Sequence, residues 1–130
     1  MRTHMPNLPD NLKYATSHEW VKLEDDNVVR IGITDFAQQA LGDLVYIQLP
    51  AIGRNVAAKE QCAVVESVKT ASDLFSPVTG TIIAVNETLA DEPEQVNDNP
   101  YQTWLFCVKA DDPSELDALM DADGYQAMIA

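Results

Sequence analysis

Lys69 is the side chain of this sequence best placed to carry chemistry. It stands in Val64-Val65-Glu66-Ser67-Val68-Lys69-Thr70-Ala71-Ser72-Asp73, with an apolar strand before it and Ser76-Pro77-Val78-Thr79-Gly80 after it. That layout predicts a β-hairpin whose tip presents one amine to solvent. Only five lysines occur among 130 residues, so one placed between Glu66 and Asp73 reads as a chemical handle more than a solubilising charge. A free lysine amine is protonated at neutral pH, and catalytic lysines need burial or a cationic neighbour to become nucleophilic. Two flanking acids offer the opposite surroundings. An amide made there by a ligase would remove the charge and add a tether, whereas the plain alternative is an ordinary surface lysine.

Other residues with chemical potential point to structure instead. His18 has only His4 as a possible histidine partner, which makes a metal pair improbable and a structural histidine the expected role. Cys62 and Cys107 fall inside apolar strand patterns, where a thiol behaves as a small buried hydrophobe. No disulfide framework is expected. Trp20, Tyr46 and Trp104 read as core or rim packing. No nucleophile and base, and no metal cluster, come together in the sequence, so an enzyme is the weakest reading.

The hairpin needs a scaffold, and composition bounds it. A chain of 130 residues, 46% hydrophobic, suffices for one domain with a real core. Formal net charge is −13, and from Asp91 onward ten carboxylates face a single base, Lys109. Such a field repels phosphate backbones and anionic membranes, and it steers encounter with basic protein surfaces. No apolar run approaches a membrane span of about 18 residues, and no secretory leader is visible, so a soluble intracellular chain is expected. Met1-Arg2-Thr3-His4-Met5 reads as an extension outside the fold.

The dominant period is two. Val28–Ile33, Leu44–Leu49, Gln61–Val65, Thr81–Val85 and Trp104–Val108 are short and rich in β-branched or aromatic residues. Turn chemistry separates them at Asp25–Asn27, Pro50–Gly53, Pro77–Gly80 and Asn97–Pro100. Three short helices are expected. Thr34 caps one that runs through Leu41 and stops at a left-handed Gly42. Asp112-Pro113-Ser114-Glu115 opens a second through Met120. Asp123, with Gln126 three residues on, caps a third through Ile129. A faint repeat relates Gly42, Val56 and Val64 to Gly80, Val96 and Trp104, favouring a two-sheet sandwich with Lys69 at the junction of its halves.

In the same order and at the same spacings, Ser17-His18-Glu19-Trp20, Gly32-Ile33-Thr34-Asp35-Phe36-Ala37-Gln38, Leu41-Gly42-Asp43, Val65-Glu66-Ser67-Val68-Lys69, Ala71-Ser72-Asp73, Ser76-Pro77-Val78-Thr79-Gly80 and Val85-Asn86-Glu87 resemble the glycine cleavage system H proteins. The likeness runs from about Leu12 to the C-terminus. Tyr101-Gln102-Thr103-Trp104 is tighter than the family's usual glycine-containing link, and Thr70 stands where alanine is commoner.

The resemblance implies a mainly β fold of the lipoyl/biotinyl hybrid-motif type, a flattened barrel or sandwich with C-terminal helices. Residues 1–11 would form an N-terminal extension and residues 12–130 a single lipoyl-carrier domain. It implies covalent lipoic acid on Lys69. It further implies a non-catalytic carrier that moves the aminomethyl group of glycine from a pyridoxal-phosphate glycine decarboxylase to an aminomethyltransferase. Dihydrolipoamide dehydrogenase would reoxidise it, and lipoate-attaching enzymes would modify it. Ser17, Glu19 and Asp73 match the positions expected to receive the loaded arm in a cleft. A monomer is expected, cytoplasmic in a bacterium or in the mitochondrial matrix of a eukaryote. The competing readings are a lipoyl domain of a 2-oxoacid dehydrogenase, a biotin carrier, and an H-like protein that relays lipoate to other acceptors. Biotin carriers usually flank their lysine with methionines, where Val68 and Thr70 stand here.

Overall fold

Strand pairing divides the chain into two sheets. The computed structural model describes residues 8–129, and the reading of Met1–Met5 lies outside them. In chain order the strands are β1 (Lys13–Tyr14), β2 (Glu19–Leu23), β3 (Val28–Ile33), β4 (Leu44–Gln48), β5 (Asn55–Val56), β6 (Gln61–Ser67), β7 (Ala71–Phe75), β8 (Gly80–Val85) and β9 (Phe106–Ala110). The helices are α1 (Asp35–Leu41), α2 (Gln95–Asp98) and α3 (Ala122–Ile129), with 3-10 turns at Asp25–Asn27, Glu87–Ala90 and Pro113–Ala118. One sheet has the order β1-β2-β3-β9-β8-β5 and the other β4-β6-β7. The two remain separate, giving a sandwich rather than a closed barrel. No helix among the described residues is long and apolar enough to cross a membrane.

The core lies between the sheets. Val29, Ile31 and Ile33 of β3, Ile82 of β8 and Phe106 and Val108 of β9 face Ile47, Val65 and Leu74 of the smaller sheet within one buried cluster. Each such side chain contributes about 1.5–3 kcal/mol through its removal from water. Gly80 is required by contact: a Cβ there would lie 2.1 Å from the Lys109 carbonyl oxygen. The two halves of the repeat supply one antiparallel pair to each sheet, β4–β6 and β8–β9. Val56 and Val96 are both buried, as their matched places in the repeat require. A second cluster joins Leu12, Tyr14, Trp20 and Tyr125, so α3 is pinned against the β1–β2 edge. Leu8 packs on this cluster and Pro9 accepts the Tyr14 hydroxyl, so the residues just ahead of residue 12 rest on the domain.

Several expected boundaries shift for local reasons. The last strand begins at Phe106, not Trp104, whose carbonyl is taken by the Asn86 side-chain amide at 2.8 Å. Asp112 does accept from the Ser114 amide, but the segment it opens is a 3-10 turn that stops at Ala118. Leu119 turns extended there so that Met120 can exchange two backbone bonds with Tyr14, at 2.8 and 2.9 Å. α3 is capped by Asp121, whose carboxylate accepts the Gly124 amide at 2.8 Å; Asp123 lies two residues too late for that role, inside the first turn. Thr34 caps α1 as expected, accepting from Ala37. Gly42 ends α1 at φ 85° and ψ −162°, a region almost confined to glycine, and not in the left-handed helical conformation. β1, β2 and β5 lack the long β-branched runs that mark the other strands, and pairing with neighbours creates them.

Candidate functional site

Lys69 sits in the three-residue link between β6 and β7, exposed. The turn is organised by Ser67, whose hydroxyl accepts the Lys69 and Thr70 amides at 3.2 and 3.1 Å and donates to the Thr70 carbonyl at 3.2 Å. Serine does this in turns because its short side chain can mimic a backbone group. The Val68 amide donates to the Asp43 carbonyl at 3.1 Å, tying the tip to the segment after α1. Val68 itself is 70% exposed. The lysine stem rests over Gly42, its Cε 3.4 Å from where a Cβ on that glycine would stand. A side chain at position 42 would crowd the stem as well as oppose the positive φ.

Two hollows lie along β7 from this point. The first is an apolar groove of about 140 Å³ lined by Ser17, His18, Ile33, Phe36, Ala37, Ala40, Leu41, Ser72 and Leu74. It begins at Leu41, beside the glycine under the Lys69 stem. The second is a cleft of about 260 Å³ lined by Ala15, Thr16, Ser17, Glu19, Lys59, Phe75, Ser76 and Pro77. Ser17 borders both, so the apolar groove and the Glu19 cleft lie side by side.

Glu19 is fully buried at the start of β2. The Ser17 hydroxyl donates to its Oε1, and the Phe75 amide, at the end of β7, donates to its Oε2 at 3.0 Å. These bonds offset part of the cost of an enclosed carboxyl. Burial nonetheless dominates and pushes Glu19 from 4.5 up to about 7, against the lowering pull of Ser17 and Phe75. Near neutrality it is therefore poised between acid and carboxylate.

His18, between Ser17 and Glu19, adopts φ 78° and donates its amide to the Ala15 carbonyl at 3.0 Å, which turns the chain so that Glu19 enters the interior. Its Nδ1 lies 2.8 Å from the Tyr125 hydroxyl, and burial lowers its basicity, as befits a structural histidine. Cys62 is a free buried thiol pushed up to about 12 by desolvation, chemically inert as expected. Cys107 is also free and buried.

The sequence-derived residues are thus only partly assembled. Ser17 and Glu19 meet directly, and Lys69 stands over Gly42, next in sequence to the groove-lining Leu41. Asp73 is exposed on β7 opposite Val64 and lines neither hollow, although its neighbours Ser72 and Leu74 line the groove. Ser67, Gly42, Phe75 and the groove wall of α1 had no assigned part in the site. A turn-forming serine two positions before the lysine was the one legible signal among them.

Comparison with known proteins agrees with this geometry. The glycine cleavage H-protein family model matches residues 12–130. The chain is 60% identical to the glycine cleavage system H protein of Methylococcus capsulatus over 124 residues, covering 95% of this chain and 98% of that one. It is 55% identical to glycine cleavage system H protein 2 of Pseudomonas aeruginosa, covering 96% and 97%. The crystal structure of a glycine cleavage system H protein from Mycobacterium marinum superposes with a TM-score of 0.86 at 39% identity, covering 94% of this chain and 98% of that one. A match in sequence across nearly the whole length, joined to a shared sandwich, leaves one assignment: this chain belongs to the glycine cleavage H-protein family.

Proposed function

We propose that this chain is the lipoyl carrier of a glycine cleavage system, with lipoic acid in amide linkage to Lys69. The observation that carries the reading is the arrangement of an exposed lysine whose stem rests over Gly42, an apolar groove that starts at the neighbouring Leu41, and a buried Glu19 held by the surface residue Ser17, which also lines that groove. An aliphatic tether suits the Leu41, Phe36 and Leu74 walls, and a cationic end group suits the Glu19 cleft, so these residues fit the group chemically. When attached, it would supply a dithiolane able to take up the aminomethyl group of glycine and a pair of electrons.

Every other contribution belongs to the chain itself. Ser67 shapes a turn that keeps the Lys69 amine accessible to a lipoate-attaching enzyme and, after acylation, to other active sites. A tether multiplies local concentration at a docked partner without any new contact. Glu19, near 7 on its own, would be drawn into its carboxylate form by an ammonium lodged beside it, with the Ser17 hydroxyl holding Oε1 in place. Asp73 stands on the other face of β7 from the groove-lining Ser72 and Leu74, so on this reading it would meet the arm only outside the groove. The partners on this reading are a pyridoxal-phosphate glycine decarboxylase, an aminomethyltransferase, dihydrolipoamide dehydrogenase and the lipoate-attaching enzymes. The carrier catalyses none of their steps. A protein that only relayed lipoate would have no use for a buried carboxyl beside the groove.

Reconstitution tests this. Release of CO₂ from glycine should require the lipoylated chain together with the decarboxylase, and formation of the one-carbon folate should require the aminomethyltransferase as well. Glycine turnover by the purified chain alone, or no turnover despite full lipoylation, would overturn it.

A further inference from the structure

From the C-terminal helix, Tyr125 reaches into the walls of the groove. Its ring is fully buried and stacks on Tyr14 at 5.0 Å with an interplanar angle of 16°. Its hydroxyl lies 2.8 Å from His18 Nδ1 and 2.7 Å from Thr34 Oγ1. These two partners belong to two separate elements beside the groove. His18 forms the strained turn that sets Ser17 and Glu19 in place, and Thr34 caps α1, which supplies Phe36, Ala37, Ala40 and Leu41. The Thr34 amide also donates to the His18 carbonyl at 3.1 Å, and the His18 ring packs on Phe36 at 5.0 Å.

One proton order uses every group. The Ala37 amide donates to Thr34 Oγ1, the Thr34 hydroxyl to Tyr125, and the Tyr125 hydroxyl to Nδ1 of a neutral His18. A chain of this kind, centred on the buried Thr34–Tyr125 bond, fixes its members together. We infer that Tyr125 is a positioning residue for the carrier site, a latch from α3 whose one hydroxyl sets the separation of the Ser17–Glu19 turn from helix α1. The inference rests on the proposal that the loaded arm lodges in this groove. It gives α3 a task in the site, although none of its residues lines either hollow.

The first readout needs no attached group. In the unloaded chain Tyr125→Phe keeps the ring stack but removes both hydroxyl bonds. Amide exchange at Thr34 and Ala37 is expected to rise about tenfold, the equivalent of one lost hydrogen bond of local protection. Exchange unchanged from the native chain would overturn the latch.

The second readout uses the lipoylated carrier bearing an aminomethyl group. Water cleaves the isolated adduct to the free thiol, formaldehyde and ammonium, and sequestration slows this reaction. Glu19→Gln tests the arm site itself, and Val108→Ala, in the core of the six-stranded sheet and lining neither hollow, lowers global stability without removing a group from the site. Cleavage about threefold to tenfold faster in Tyr125→Phe and Glu19→Gln, with Val108→Ala at the native rate, is the expected result. A native rate in Tyr125→Phe beside a faster one in Glu19→Gln overturns the latch and leaves the groove reading intact. Equal acceleration in Val108→Ala reduces Tyr125 to general stability and also overturns it. A native rate in Glu19→Gln removes the groove reading and the latch with it.

Discussion

At the tip of the β6–β7 hairpin the side-chain bonds that shape the turn come from Ser67 and Thr70 alone, while at the base of the same strands Glu19 is held by a loop serine and by a β7 amide 56 residues away. The tip is exposed and locally organised; the Glu19 carboxyl is buried and held by distant segments. An attachment point must be reached by several enzymes, and local order suffices for that. A pocket that shelters a charged group must exclude water, and that takes convergence of separate elements. The two ends of one hairpin therefore answer differently to mutation and to pH.

The largest expected difference lies in pH. Glu19 titrates near 7 in the folded chain and at 4.5 when free. Between those values the folded state keeps a proton that the unfolded state has lost. Its contribution to stability is therefore fullest below 4.5 and is lost as pH rises through the folded value, by on the order of 3 kcal/mol. Burial lowers His18, which produces a slope of the opposite sign as its unfolded form takes up protons in acid, so the comparison must be made by difference. Urea unfolding at about pH 5 and about pH 8 should show native stability falling relative to Glu19→Gln across that interval. A constant difference between the two chains would contradict the burial account.

A smaller effect is expected from Ser17→Ala, which removes the hydroxyl donor to Glu19 Oε1. It should cost about 1 kcal/mol at neutral pH and raise the Glu19 titration further, read by carbon NMR of its carboxyl. An unmoved titration would show that the serine does not hold the carboxylate. At the other end, Ser67→Ala should cost only about 0.5 kcal/mol, because the tip is exposed, yet slow lipoyl attachment about threefold by loosening the turn. Attachment at the native rate would mean that the ligase imposes its own conformation. Smallest of all is Thr70→Ala, whose hydroxyl makes only a long 3.4 Å bond to the Ala71 carbonyl. Stability should stay within about 0.5 kcal/mol and attachment should be unchanged.

The same contrast explains what the sequence made legible. Lys69 at a hairpin tip, the Thr34 cap and the buried cysteines follow from neighbours a few residues apart, and alternation located five strands closely enough to predict a sandwich. Ser17 and Glu19 were named only through resemblance, because nothing near Glu19 announces burial. Its partner amide at Phe75 belongs to another strand. The His18–Tyr125 bond spans 107 positions, and the positive φ of His18 is carried by no glycine or asparagine that would mark it. Asp73, named through the same resemblance, is placed by strand alternation on the face away from the groove-lining Ser72 and Leu74. Cap positions were misjudged where tertiary pairing intervened, as when the Met120–Tyr14 bridge cut short the turn opened by Asp112.

The central claim is that Lys69 alone carries the lipoyl group. Intact mass of the native chain and of Lys69→Arg, each after incubation with a lipoate-attaching enzyme, tests it most directly. The native chain should gain the mass of one lipoyl group, mapped to Lys69 by peptide analysis, and the variant none. An adduct of the same mass on the variant, or one mapped to Lys59 or another lysine, would contradict it.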